Sequence, residues 1–524
     1  MFRMLNIIVS AVILGFPVAA SPSLADSPTE TARRVDQALL KDVGKSAALP
    51  AQADDATFLR RVCLDLTGKL PEPELAKSLQ AGKFKRALIV EQLLASEAFA
   101  VNWGRYWRDV LTYHSQASNN SLRWELFDRW LTDQVREGRS FSDMVTSMVT
   151  ATGINDEVAP VNFLTSHFGN PIEIGATVSR VFLGVQLQCA QCHDAKNEPW
   201  KREQFHEFVA FFGRAKLIQH KDVNGRGTPY AIDGRAEGQY AMPDLKNPDR
   251  LIALAPRFLG GDAVSADLPD LERRAALAKQ LTKSPWFAKA YVNRMWTALM
   301  GWGFYPGLAD LGTDVEPRYP EVLDLLAREW AASGHDMRWL FRTITATQAY
   351  QRQLQPRPDS ESTQPVAVCP QRLRPEQIFE NLVRALGFDE KDKKIPAPAP
   401  SAAPAARRHE GLRHMVYMAF KFDPSLSPGE VQGTIPQALL MMNSVLVNTY
   451  VAASGKTFLA EALEKNMADD ELIVALYQRT LARSPRGREL ETCRRYLRTV
   501  NDRREAFEDI FWSLLNSTEF VTKR

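Results

Sequence analysis

The stretch Phe182-Leu183-Gly184-Val185-Gln186-Leu187-Gln188-Cys189-Ala190-Gln191-Cys192-His193-Asp194 is the most informative part of this 524-residue chain. An apolar run leads into two cysteines three apart, with a histidine directly after the second. That spacing is the attachment pattern of c-type haem. Each thiol can add across one vinyl group, and the adjacent imidazole then reaches the iron from one face. On a helical turn, positions i, i+3 and i+4 lie side by side, so the three groups address one porphyrin. The motif therefore predicts haem c, with Cys189 and Cys192 as thioether anchors and His193 as the proximal iron ligand.

Downstream, Phe205, Phe208, Val209 and Phe212 fall at i, i+3, i+4 and i+7 between Lys201 and Gly213, which predicts an amphipathic helix. His206 lies on this helix and is the nearest candidate for a second, distal iron ligand. Its aromatic face suits the cover of a porphyrin, and the alternative for His206 is an exposed helix residue. Met415 and Met418 are further axial candidates, although methionines at helical spacing usually pack in a core. His167, His220 and His414 are weaker ones. After the Phe helix the period changes. Asn224-Gly225 is a hairpin turn signal, with short strands expected at Thr228–Ile232 and Gln239–Met242. A small β insert thus follows the cysteine motif.

The rest of the chain has helical period. Val35, Leu39 and Leu40 mark a first helix, and a second runs from about Asp55 to a stop at Gly68, with Pro71 opening the next. Leu88, Val90, Leu93 and Leu94 make another, followed by an aromatic one with Phe99, Trp103, Tyr106 and Trp107. A short phrase recurs at helix junctions: Ser96 with Phe99, Ser284 with Phe287, Thr347 with Tyr350, and Ser517 with Phe520. In each, a hydroxyl can cap a new turn and an aromatic three residues on can anchor it. Helices also fall around Pro436 to Val447, Glu471 to Ala482 and Glu505 to Leu515.

Arg3, the apolar run Leu5 to Ala20 and the small residues Ser23-Leu24-Ala25 form a secretory signal, which predicts a periplasmic or secreted protein. No later stretch is long and apolar enough to anchor the chain in a bilayer. The net charge of +3 is too small to suggest nucleic acid or an anionic membrane as partner. About 500 mature residues exceed one hydrophobic core. The expected organisation is a signal at 1–25, a first helical domain at 26–262, and a second at 263–524 with a Pro/Ala-rich loop at about 394–406. The fold class is mainly α, two helical domains with the small β insert. Cys63 and Cys493 lie on apolar stripes and read as core residues, and no disulfide framework joins them to Cys369.

Two other readings of the motif stay open. Cys189, Cys192, His193 and a fourth group such as His206 could hold a zinc ion, although adjacent Cys and His rarely bind one tetrahedral metal. Alternatively, Cys189 and Cys192 form a disulfide in a secreted, non-catalytic binding or scaffold protein. Asp310, Asp314 and Glu316 could pair for acid/base work, but caps and solvated loops account for them more simply. No Ser-His-Asp set, P-loop or dinucleotide fingerprint stands out. Asn293 and Arg294, between Tyr291 and Trp296, form a second-domain polar cluster that reads as buried and structural.

Taken together, several motifs resemble the paired domains of unknown function abundant in planctomycetes, a PSCyt-type domain followed by a PSD-type domain. Phe58-Leu59-Arg60-Arg61-Val62, Leu64-Asp65-Leu66-Thr67-Gly68, Trp103, Trp107 and the cysteine stretch carry the first resemblance. Ser284-Pro285-Trp286-Phe287-Ala288, Val292-Asn293-Arg294-Met295-Trp296, Gln437-Ala438-Leu439-Leu440-Met441-Met442-Asn443-Ser444 and Leu514 to Phe520 carry the second. The resemblance implies an exported, largely helical protein. It implies companions such as an exported redox partner or a sulfatase-like protein, where complex polysaccharides are degraded. Many relatives place a second histidine two residues after the motif histidine. Ala195 stands there in this chain.

Overall fold

The computed structural model describes residues 25–43, 49–72, 75, 84–115, 122–196, 199–222, 228–235, 237–357, 365–387, 406–429 and 431–523. The expected signal segment apart from Ala25, the Asn224-Gly225 turn and nearly all of the Pro/Ala-rich loop lie outside them. The fold is mainly α, with only small sheets of two or three strands.

The helix Asp55–Thr67 shows how sequence becomes architecture. Asp54 caps it by accepting the Thr57 N–H at 2.7 Å. Gly68 ends it at φ 72°, a left-handed conformation that closes an N–H bond back to Leu64 O. From Phe58 to Thr67 this helix is buried all round because it stands between two hydrophobic clusters. Phe58, Leu59, Val62, Cys63 and Leu66 join a cluster that reaches from Val35 to Cys369. Leu64 joins a second cluster, made otherwise of Leu70 and side chains from Leu373 to Phe520. Its polar residues bind the two parts. Arg60 donates to Leu481 O and Glu519 O at 3.0 and 2.9 Å. Arg61 donates to Tyr350 O and Arg352 O. Asp65 accepts from Lys523 Nζ at 2.7 Å and from the Tyr350 hydroxyl at 2.6 Å.

The recurring junction phrase works as its chemistry predicts. Ser96, Thr347 and Ser517 accept the N–H of the aromatic three residues on, at 3.2, 3.1 and 3.3 Å. Ser284 takes the Trp286 N–H, two residues on, and its carbonyl takes the Phe287 N–H at 3.1 Å, with Pro285 opening the helix. Phe99, Phe287, Tyr350 and Phe520 are all fully buried, so each hydroxyl cap is paired with an apolar anchor. The last copy makes only a turn before the strand Thr522–Lys523.

The β elements differ from expectation. Tyr230–Gly234 is a strand, but it pairs with Ala215–Gln219 on one side and Gly153–Ile154 on the other. Ala241–Pro243 pairs instead with Leu251–Ala253. The two expected strands therefore sit in separate sheets. Gly153–Ile154 and Leu251–Ala253 are too short for alternation to reveal them. Met415 and Met418 are also not core residues: both are 46% exposed, and Val416 and Phe420 supply that helix's buried face.

Candidate functional site

The cysteine motif follows a passage where the backbone changes its helical type. The helix Pro171–Val178 runs into a π-helical turn at Ser179–Leu183 and then reaches Gly184 at φ 66°. A Cβ on Gly184 would stand 3.0 Å from Leu311 Cδ1 and 3.3 Å from Ala290 Cβ, so glycine is required there by both conformation and space. Gly184 O accepts the Leu311 N–H at 2.9 Å, and Val185 bridges to Asp310. Asp310 is itself held as a loop cap, accepting the Gly307 N–H at 2.6 Å.

A 3₁₀ turn, Leu187–Ala190, follows. Leu187 and Ala190 are fully buried and hold the turn against the core, while Cys189, Cys192 and His193 face outward and are exposed. The period of a tight turn explains this division: the inner and outer residues alternate over three positions. Among the described residues no disulfide is formed, and no group of three or more His, Cys, Asp or Glu is placed to hold a metal ion.

The histidine is oriented. His193 Nδ1 lies 2.7 Å from Asp194 O, and a carbonyl can only accept, so Nδ1 carries the proton. In the neutral ring Nε2 is then the lone-pair nitrogen, as an iron ligand needs to be, with its partner nitrogen fixed by a backbone carbonyl. Asp194 turns its side chain the other way and accepts the Arg202 N–H at 2.9 Å, starting the next helix. Ala195 N donates to Trp200 O at 2.9 Å, which closes the loop. Trp200 meets Trp286 edge-on, with ring centroids 5.5 Å apart.

His206 does a different task from that of an open ligand or an exposed helix residue. It is 4% exposed on the helix Arg202–Val209. Its Nε2 donates to Gln191 O at 3.0 Å, and its Nδ1 accepts from the Tyr240 hydroxyl at 2.8 Å. Burial pushes its pKa down, the Gln191 bond opposes that, and nearby Arg202 adds to it. The ring is thus a neutral brace under the motif. Phe205, Phe208 and Phe212 are fully buried in the core, so the helix's aromatic face does not lie open beside the cysteines. The brace partner Tyr240, in the β region, carried no sequence signal, since a lone tyrosine between turns has no motif.

The other histidines are scattered. His220 and His414 are exposed. His167 is 5% exposed with no partner at Nε2 among the described residues, and burial lowers its pKa to about 4. Asn293 is buried, accepts the Phe304 N–H at 2.8 Å and shapes the Gly303 turn.

Two family models match the chain. PSCyt2, described as a protein of unknown function (DUF1549), covers residues 34–216. PSD1, described as a protein of unknown function (DUF1553), covers residues 273–497. The chain belongs to these two families, in that order. No curated protein and no solved structure matches it. The cysteine motif and its His206 brace fall inside the PSCyt2 stretch. The Trp286 that backs Trp200 comes from PSD1, so the motif's loop rests on both.

Proposed function

We propose that the chain is an exported c-type cytochrome-like protein with one covalent haem c, working in electron transfer or another redox role. Cys189 and Cys192 are the anchors and His193 is the proximal ligand. The observation that carries this reading is the Nδ1–H of His193, committed to Asp194 O at 2.7 Å, beside two exposed thiols. That arrangement supplies a fixed imidazole with Nε2 available and two sulfurs able to react. Each thiol would add its S–H across a vinyl group of the haem, sulfur gaining a carbon bond and the neighbouring vinyl carbon the hydrogen. Bound haem would supply a one-electron couple at the protein surface. The chain's own residues hold the turn: Leu187 and Ala190 inward, His206 on Gln191 O, and Asp194 on the following helix. An exported redox protein is the partner this reading calls for. No helix among the described residues is long and apolar enough to cross a membrane.

The inward turn of Phe205, Phe208 and Phe212 favours a second reading, a secreted binding or scaffold protein whose Cys189 and Cys192 close a disulfide. One experiment separates the two. Expressed with a c-type maturation system, the protein should keep a peroxidase-active band after denaturation and give a reduced haemochrome spectrum. Cys189→Ala with Cys192→Ala should abolish both. A haem-free chain with the two cysteines joined would establish the scaffold reading.

A further inference from the structure

A second site, independent of the haem reading, lies where the two hydrophobic clusters meet. It is a cleft with about 960 Å³ of space unfilled by protein atoms, its open mouth included. Its walls come from both family stretches: Trp103 and Tyr106 from PSCyt2, and Arg294, Arg372, Arg374 and Tyr417 from PSD1, with Lys421 also bordering it.

The charges around this cleft do not balance internally. Two carboxylates line it, Asp65 and Asp109, and both are neutralised by cations that are not part of the lining. Asp65 takes Lys523 Nζ at 2.7 Å. Asp109 takes Arg108 Nε and Nη2 at 3.0 and 2.8 Å. Nearby Glu376 is committed to Arg105 and Arg413, and Asp423 to His114 and the Ser425 N–H. The four lining cations, Arg294, Arg372, Arg374 and Lys421, have no carboxylate ion pair among the described residues.

Arg294 is the most demanding of them. It is 2% exposed, and among the described residues its side chain makes one hydrogen bond, from Nη1 to Pro424 O at 3.1 Å. Arg180, also buried, adds positive charge close by. Arg374 donates to Asn102 Oδ1 and lies over the Tyr106 and Trp103 rings at 5.1 and 5.6 Å. Burial pushes the Arg372 and Arg374 guanidinium groups below the ordinary arginine range, opposed at Arg374 by Tyr106 and by the carboxylates of Asp109, Glu376 and Asp65. A buried guanidinium with one neutral hydrogen bond carries a desolvation cost that a matching anion would offset.

We propose that this cleft binds a small molecule through an oxyanion group, a carboxylate, sulfate or phosphate. Arg294 and Arg374 clamp the oxyanion in the depth of the cleft, and Arg372 and Lys421 draw it in at the mouth. The half-buried Tyr113 and Tyr417 offer ring faces and hydroxyls to the remainder of the ligand. Because the walls come from both stretches, the site forms only when PSCyt2 and PSD1 fold together.

Calorimetric titration of the whole mature chain with sodium sulfate, sodium phosphate and sodium glucuronate, at constant ionic strength against sodium chloride, tests this. Saturable binding to one site is expected. Tighter glucuronate binding would identify an organic acid as the ligand class, and preference for sulfate or phosphate would identify the inorganic group or its esters. Arg294→Met should weaken binding by roughly ten- to a hundredfold. Arg372→Met combined with Lys421→Met, at less buried positions, should weaken it by about tenfold while the circular dichroism stays native. Absence of saturable binding by all three probes overturns the proposal. So does binding that the folded Arg372→Met/Lys421→Met variant leaves unchanged.

Discussion

His206 Nε2 lies 3.0 Å from the carbonyl oxygen of Gln191, the residue between Ala190 and Cys192 in the motif. A buried, neutral histidine on one helix thus fixes the backbone of an exposed turn whose three reactive side chains face solvent. The bond separates two roles that sequence spacing alone merges: His193 presents a nitrogen outward, and His206 spends both of its nitrogens within the protein.

Replacing His206 by Phe keeps a planar ring and removes both hydrogen bonds, leaving the Gln191 carbonyl and Tyr240 hydroxyl to find water. The expected loss is about 1–3 kcal/mol in urea unfolding. Amide exchange at Gln191 to His193 should rise by more than the global change. Equal protection of that turn in the variant and the parent would show that His206 does not brace it.

The five cysteines divide by exposure. Cys189 and Cys192 are exposed, whereas Cys63, Cys369 and Cys493 are buried. Burial pushes the Cys63 and Cys369 thiols up to about 12 and about 11. Iodoacetamide on the folded, haem-free, reduced chain should therefore label two positions quickly and three only after unfolding. Mass mapping that finds Cys63 or Cys369 among the fast pair would contradict the packing described.

His167 makes the stability pH-dependent. Its pKa falls from 6.5 to about 4 on folding, chiefly through burial, with Arg180 adding to the shift. Between those values the unfolded chain binds more protons than the folded one, so this contribution is complete above pH 6.5 and is lost as pH falls toward 4. The full effect is about 3 kcal/mol. Burial shifts His206 and His335 in the same direction. Unfolding free energies of His167→Phe measured from pH 7 to 4 should fall less steeply than those of the parent. Parallel curves would remove His167 from the account.

Asp65 and Lys523 form a buried pair 2.7 Å apart that joins the helix Asp55–Thr67 to the chain's last strand. Lys523→Met leaves a buried carboxylate uncompensated and should cost about 3–5 kcal/mol. Asp65→Leu with Lys523→Met should cost less than that single change, since no charge is then stranded. A double variant as unstable as the sum of the singles would mean the pair acts through packing alone.

Much of the fold was legible because it depends on local chemistry. Asp54 and Gly68 bound their helix as caps do, and Ser96, Ser284, Thr347 and Ser517 each take a backbone N–H beside a buried aromatic. Phe205, Phe208, Val209 and Phe212 share a buried face as their spacing required. What depends on distant partners was not legible. Tyr230–Gly234 pairs with Gly153–Ile154, nearly eighty residues away by number, and no local period announces that. The exposure of Met415 and Met418 follows from which face Val416 and Phe420 turn inward. His206 could be singled out by sequence, but its partners Gln191 and Tyr240 meet only in the folded chain. Arg294 likewise sits in a recognisable phrase, whereas its lack of a carboxylate partner among the described residues is a property of the assembled cleft.

The most direct test of the central claim is the intact mass of the mature chain after export in a host that attaches c-type haem. A covalent increase of one haem per chain is expected, retained in denaturant, mapped to the peptide containing Cys189 and Cys192, and lost in Cys189→Ala/Cys192→Ala. An unmodified chain, or one whose only change is a Cys189–Cys192 disulfide, would contradict it.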